Sequence, residues 1–89
     1  MKTIHKFPLS SAWGTKVLHM PRGAEILCVQ VQNDWPTLWA LVDPSAEKEP
    51  RMVCVVGTGE EMPAAMGRSE YVGTVQEGVF VWHIFADAV

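Results

Sequence analysis

The stretch VQVQNDWPTLWALVDP, residues 29–44, decides how the chain is read. Its first arm belongs to Ile26–Gln32 (ILCVQVQ), where Leu27, Val29 and Val31 fall on one side and Cys28, Gln30 and Gln32 on the other. A period of two is the pattern of a half-buried strand. Asn33-Asp34 turns the chain, and Thr37–Val42 runs back as the second arm of a hairpin. Pro36 sits at its entrance, because proline cannot donate to a ladder. This second arm is apolar on both faces: Trp39 and Leu41 lie opposite Leu38, Ala40 and Val42. A surface hairpin has one wet face, so this strand needs a cover on each side.

Working outward, the same reading gives strands at Thr3–Phe7, Thr15–Met20, Arg51–Val56, Tyr71–Gln76 and Val79–Phe85. Pro21-Arg22-Gly23 and Glu77-Gly78 read as turns, and Asp43–Pro50 (DPSAEKEP) as a polar loop. Glu60–Glu70 is the longest irregular piece, with room for one helical turn at Ala64–Gly67. About seven short strands joined by turns specify an all-β fold, a small antiparallel sandwich or barrel. With 89 residues the chain makes one domain, residues 1–89. The last strand, VFVWHIF, repeats the problem of the hairpin: Phe80, Trp82 and Ile84 lie opposite Val81 and Phe85, and only His83 is polar. An 89-residue chain has little material to spare for covering. Self-association is therefore expected, most simply as a symmetric dimer, with Leu38, Trp39 and Trp82 at the interface. The alternative cover is the Glu60–Glu70 loop together with the N-terminal segment.

Composition narrows the functional classes. The net charge is -3 and no basic block occurs, which argues against a phosphate-neutralising nucleic-acid surface but leaves room for one small anionic ligand at a local site. The opening MKTIHKFPLSSAW lacks the apolar run of a signal peptide. No segment approaches the ~20 apolar residues of a membrane helix. The expected location is the cytoplasm, and Cys28 and Cys54 read there as reduced thiols inside strands, although one disulfide between neighbouring strands stays open.

Several residues are candidates for binding. Gly57-Thr58-Gly59 follows an apolar strand, and glycine backbone can approach an anion closely. A phosphate loop would need GxxxxGK[ST] ahead of a helix, whereas Glu60-Glu61 comes next here; a turn that needs positive φ is the plainer reading. His83, in the middle of an apolar strand, must find a hydrogen-bond partner, in the core or on a ligand. His5, His19 and His83 lie on three strands without metal-site spacing. Four tryptophans is a high count: Trp39 and Trp82 fall inside strands, while Trp13 and Trp35 fall in loops and can stack on a base or a partner. Arg22 and Arg51 could flank a pocket, as could Lys6 and Arg68. No triad, paired acids or cofactor fingerprint is present, so neither catalysis, a cofactor nor a metal is expected.

Six segments carry a resemblance: KTIHKFPL (Lys2–Leu9), MPRGAEILCVQVQ (Met20–Gln32), LWALVDP (Leu38–Pro44), GTG (Gly57–Gly59), YVGT (Tyr71–Thr74) and VFVWHIF (Val79–Phe85). Through them the chain resembles a family of small proteins encoded by bacteriophages and prophages. The stretch after Leu9 and the Pro63–Ser69 loop depart from its pattern. The resemblance brings no activity with it, but it implies a setting. Small accessory phage proteins often disarm host immunity, either by sequestering a nucleotide signal or by covering a host defence protein. A structural or assembly role in the virion is the alternative, and a small enzyme acting through His83 comes third.

Overall fold

The hairpin read from residues 29–44 forms, and it supplies the middle strand and one edge strand of one of two sheets. The computed structural model describes residues 1–9 and 14–87. Strands β1 (Thr3–Pro8), β4 (Trp35–Val42) and β3 (Glu25–Gln32) make the first sheet in the order β1-β4-β3. Strands β2 (Gly14–Pro21), β5 (Lys48–Gly57), β7 (Phe80–Asp87) and β6 (Ser69–Glu77) make the second, in the order β2-β5-β7-β6. Every pairing is antiparallel. The protein is a small all-β sandwich. Asn33 and Asp34 take φ values of 52° and 68°, the two positive values that a type I′ hairpin requires.

The core lies between the sheets. Leu38, Ala40 and Val42 of β4, with Val29 of β3, meet Val53 and Val55 of β5, Trp82, Ile84 and Ala86 of β7, and Val75 of β6. Leu9 joins them, its N–H donating to the Pro36 carbonyl at 2.8 Å. Leu38 is fully buried and Trp82 is 5 % exposed, so neither is the interface residue expected from the sequence. Both occupy core positions because the period of two puts them on the inner faces of β4 and β7.

The outer faces are covered in two different ways. On the second sheet, Cys54 and Val56 of β5 form a small outer cluster with Met66, and Met52 and Phe85 pack against it. Met66 belongs to a single 3-10 turn, Ala64–Met66, in the segment between β5 and β6. The chain's own loop thus covers part of this face, over Cys54, Val56 and Phe85. On the first sheet, Trp39 and Leu41 are half-buried beside Ile4, which is 55 % exposed. Lys6 reaches across β4 from β1 to donate to Gln32 Oε1 on β3 at 2.8 Å.

Most strands run one to three residues beyond the sequence reading at an end, and four differences bear on the packing. β5 begins at Lys48, so the polar loop is shorter than Asp43–Pro50; the first part of β5, with Pro50 opposite His19, pairs with β2 alone, where proline costs only one possible ladder bond. The last turn is Gly78-Val79, with Glu77 opposite Phe80, one residue later than expected. Trp35 is the first residue of β4 rather than part of a loop. A β-bulge between Ile26 and Cys28 takes Leu27 out of the alternation, so that Ile26 rather than Leu27 shares the inner face with Val29. Leu27 is left 45 % exposed.

A second bulge, between Tyr71 and Gly73, lies on β6 where the two sheets meet. A Cβ on Gly73 would stand 2.7 Å from Val29 Cγ1, so only glycine lets β6 approach β3 this closely. Gly73→Ala is expected to cost about 1–3 kcal/mol by overpacking. Val29→Ala creates the missing space, so the double variant should be more stable than the two separate losses predict, by about 0.5–3 kcal/mol. Urea unfolding of the four proteins measures this, and strict additivity would show that the close approach is relieved elsewhere.

Candidate functional site

The inner and outer faces of β7 carry the site's two halves. On the outer face, His83 stands directly opposite Thr74 in the β6–β7 ladder and opposite Val56 in the β5–β7 ladder. Thr74 Oγ1 lies 3.0 Å from His83 Nδ1. Thr58, in the GTG turn, brings its Oγ1 to 2.7 Å from Nε2. Tyr71 extends the chain, its hydroxyl 2.6 Å from Thr74 Oγ1. A threonine hydroxyl can donate or accept, so each ring nitrogen of His83 has a partner. His83 therefore ties the turn after β5 to β6, across β7. GTG and His83, separate in the sequence reading, form one connected feature.

On the inner side, the β6–β7 hairpin continues past the end of the core. Phe80 shares a side with Trp82 and stacks on it, ring centroids 5.4 Å apart and planes at 16°. Trp82 is buried while Phe80 is 56 % exposed and Val79, at the hairpin tip, 90 % exposed. Between this hairpin and the GTG turn lies an open cleft of about 520 Å³, lined by Gly57, Thr58, Glu60, Val79, Phe80, Val81 and Trp82. Trp82 Nε1 donates to Glu77 Oε1 at 3.3 Å. The Gly57 N–H, which a phosphate would need, already donates to Glu60 Oε1 at 2.5 Å. Gly59 has a φ of 91°, the positive value expected of a turn. The Thr58–His83 distance is that of a nucleophile and its base. The histidine's other nitrogen nevertheless meets a threonine rather than a carboxylate, and the adjacent N–H that would receive an oxyanion meets a carboxylate.

The remaining candidates lie elsewhere. Arg51 is 5 % exposed and does structural work: Nε donates to Asp87 Oδ1 at 3.0 Å and Nη1 to the Ala24 carbonyl at 3.0 Å. Asp87 Oδ2 also accepts the Met52 N–H at 3.0 Å. Arg51 was expected to contact a ligand; its depth and its partners instead make it a brace near one end of the sandwich, where it lines a separate cleft with Glu70 and Tyr71. Arg22 is exposed in the turn between β2 and β3, 3.6 Å from Glu47 and 3.9 Å from Glu49. Trp35, 43 % exposed, lies on the first sheet, away from the cleft's lining. Trp13 lies outside the described residues. Cys28 and Cys54 are free thiols on different sheets. Burial pushes the Cys54 thiol above its ordinary pKa, with a hydrogen bond to the Phe85 backbone acting against it. Among the described residues no group of three or more His, Cys, Asp or Glu could hold a metal ion, and no helix is long and apolar enough to cross a membrane.

Sequence reasoning missed Glu60, Phe80 and Thr74. Glu60 was legible as a carboxylate three residues after Gly57, within reach of its N–H. Thr74 was legible only with the hairpin turn at Gly78-Val79. A turn at Glu77-Gly78 would pair His83 with Val72 instead.

An all-β sandwich with an aromatic cleft beside a histidine-braced turn is the class these features define. Within that class, the chain belongs to the DUF7352 family, a domain of unknown function whose model matches residues 1–89. No curated protein and no solved structure matches the chain.

Proposed function

We propose that this is a non-catalytic binding protein that holds one small molecule with a flat apolar part in the cleft between the GTG turn and the β6–β7 hairpin. The observation that carries the reading is the exposed Phe80 ring, stacked on buried Trp82 and facing a cleft of about 520 Å³. That volume lies within the ~300–1,000 Å³ range of small-molecule sites. A ring fixed from behind by another ring offers a stacking surface at little entropic cost. Against catalysis stands the absence of a carboxylate on His83, whose two nitrogens meet threonine hydroxyls. The phage resemblance supplies the setting: capture of a signal molecule in the host cytoplasm, as a counter to host defence. Copies of the chain associate through the outer face of the first sheet, where Ile4, Trp35, Trp39 and Leu41 give apolar surface. The small-nucleotide form of this reading is weakened at Gly57, whose N–H is occupied by Glu60.

Native mass spectrometry, before and after incubation with a panel of nucleosides, cyclic nucleotides and aromatic amines, tests both parts. The expected result is an oligomer that retains one ligand per chain, with a rise in melting temperature that Phe80→Ala abolishes. Retention unchanged by Phe80→Ala would remove the cleft from the reading. A bare monomer would remove the association.

A further inference from the structure

The charges around the cleft bear on what it holds. We infer that the ligand is an organic cation, an ammonium or amidinium group attached to an apolar body; this rests on the small-molecule reading above. Among the described lining residues there is no lysine or arginine, and the only charged one is Glu60. A second carboxylate, Glu77, stands opposite Phe80 in the hairpin and bonds the Trp82 indole. The aromatic stack is thus bordered by one carboxylate from the turn after β5 and another from β6. The Gly57 N–H holds the Glu60 carboxylate at the cleft by a 2.5 Å hydrogen bond. An incoming phosphate or carboxylate would meet Glu60 in the lining, with Glu77 behind the aromatic stack, and would have to displace Glu60 to reach the one backbone donor identified there. A cation meets the reverse: the Glu60 carboxylate in the lining and, on Phe80, a ring face whose quadrupole attracts positive charge within about 6 Å. Val79 and Val81 supply apolar walls for the rest of the molecule. Arg51 and Arg22, which could have drawn an anion, are paired with Asp87 and with Glu47 and Glu49, away from this cleft.

Three probes of similar size and different charge test it: phenyltrimethylammonium, benzyl alcohol and phenyl phosphate, each titrated into the isotope-labelled full chain and followed by amide resonances. Phenyltrimethylammonium is expected to shift Gly57, Phe80 and Val81 and to bind at least fivefold more tightly than either other probe. Glu60→Gln keeps a carbonyl oxygen to accept the Gly57 N–H, so the turn is retained while the charge is lost. It should weaken the cation at least fivefold and leave benzyl alcohol unchanged. Phe80→Ala should weaken all probes. If phenyl phosphate or benzyl alcohol shifts the same residues as tightly as the cation, or if Glu60→Gln leaves cation binding unchanged, the charge inference is overturned and the small-molecule cleft stands. If no probe shifts these residues, both are overturned.

Discussion

Arg51→Ala is expected to destabilise the protein by about 3–5 kcal/mol, the cost of breaking a buried ion pair from one side. The guanidinium has two partners at 3.0 Å, the Asp87 carboxylate and the Ala24 carbonyl. Removing it strands both and empties the space of a side chain that is 5 % exposed. Asp87 is anchored on the Met52 N–H but is a third exposed, so water offsets part of its loss and the heavier cost falls on the buried Ala24 carbonyl and the emptied space. For a domain of this size each kcal/mol moves the melting temperature by about 4–8 °C, so a fall of roughly 12–40 °C is expected. Arg51→Met keeps the apolar stem and should recover part of the loss. Arg22→Ala is the control on the surface: Arg22 is itself exposed, its partners lie at 3.6 and 3.9 Å, and it should cost less than about 1 kcal/mol. Salt separates the two, since a buried pair is screened much less than an exposed one. A melting temperature for Arg51→Ala within a few degrees of the parent would return Arg51 to the list of free binding residues.

The Arg51 case shows where sequence reasoning stops. Strands were legible because their signal is local. Cys28, Gln30 and Gln32 alternate with apolar neighbours, Asn-Asp marks a turn, and all seven strands form close to where the pattern puts them. The depth of Arg51 was not legible, because it depends on Asp87 and Ala24, 36 and 27 residues away. Bulges were hidden for the same reason. One extra residue at Leu27 or Val72 satisfies the packing of two sheets rather than any preference of its own strand. The candidate site stood between these cases. GTG and His83 were visible as separate oddities, and their joining through Thr58 follows from the register of β5 against β7. Phe80 was counted among strand apolars, since nothing in VFVWHIF marks the point where the hairpin passes beyond the core.

Leu38→Ala and Trp39→Ala, neighbours on β4, are expected to fail in different ways. Both were assigned to an interface from the sequence, and alternation along the strand separates them. Leu38 is fully buried against the second sheet. Its truncation should cost about 2–5 kcal/mol through lost burial and the cavity left behind. That loss belongs to the single chain, so it should be the same at every protein concentration. Trp39 is half-buried on the outer face, opposite Lys6 of β1 and Cys28 of β3. If copies join there, Trp39→Ala removes an aromatic anchor of the kind that dominates interface energies, about 2 kcal/mol or more. The dimer dissociation constant should then rise at least thirtyfold, while the monomer's own stability falls less than for Leu38→Ala. Sedimentation equilibrium across a hundredfold range of concentration, paired with urea unfolding, reads both quantities. A dimer that survives Trp39→Ala unchanged would take the outer face of the first sheet out of the assembly. It would leave Trp39 as an apolar side chain sheltered by Lys6 and its neighbours, and the association would have to be sought at the exposed hairpin tip around Val79.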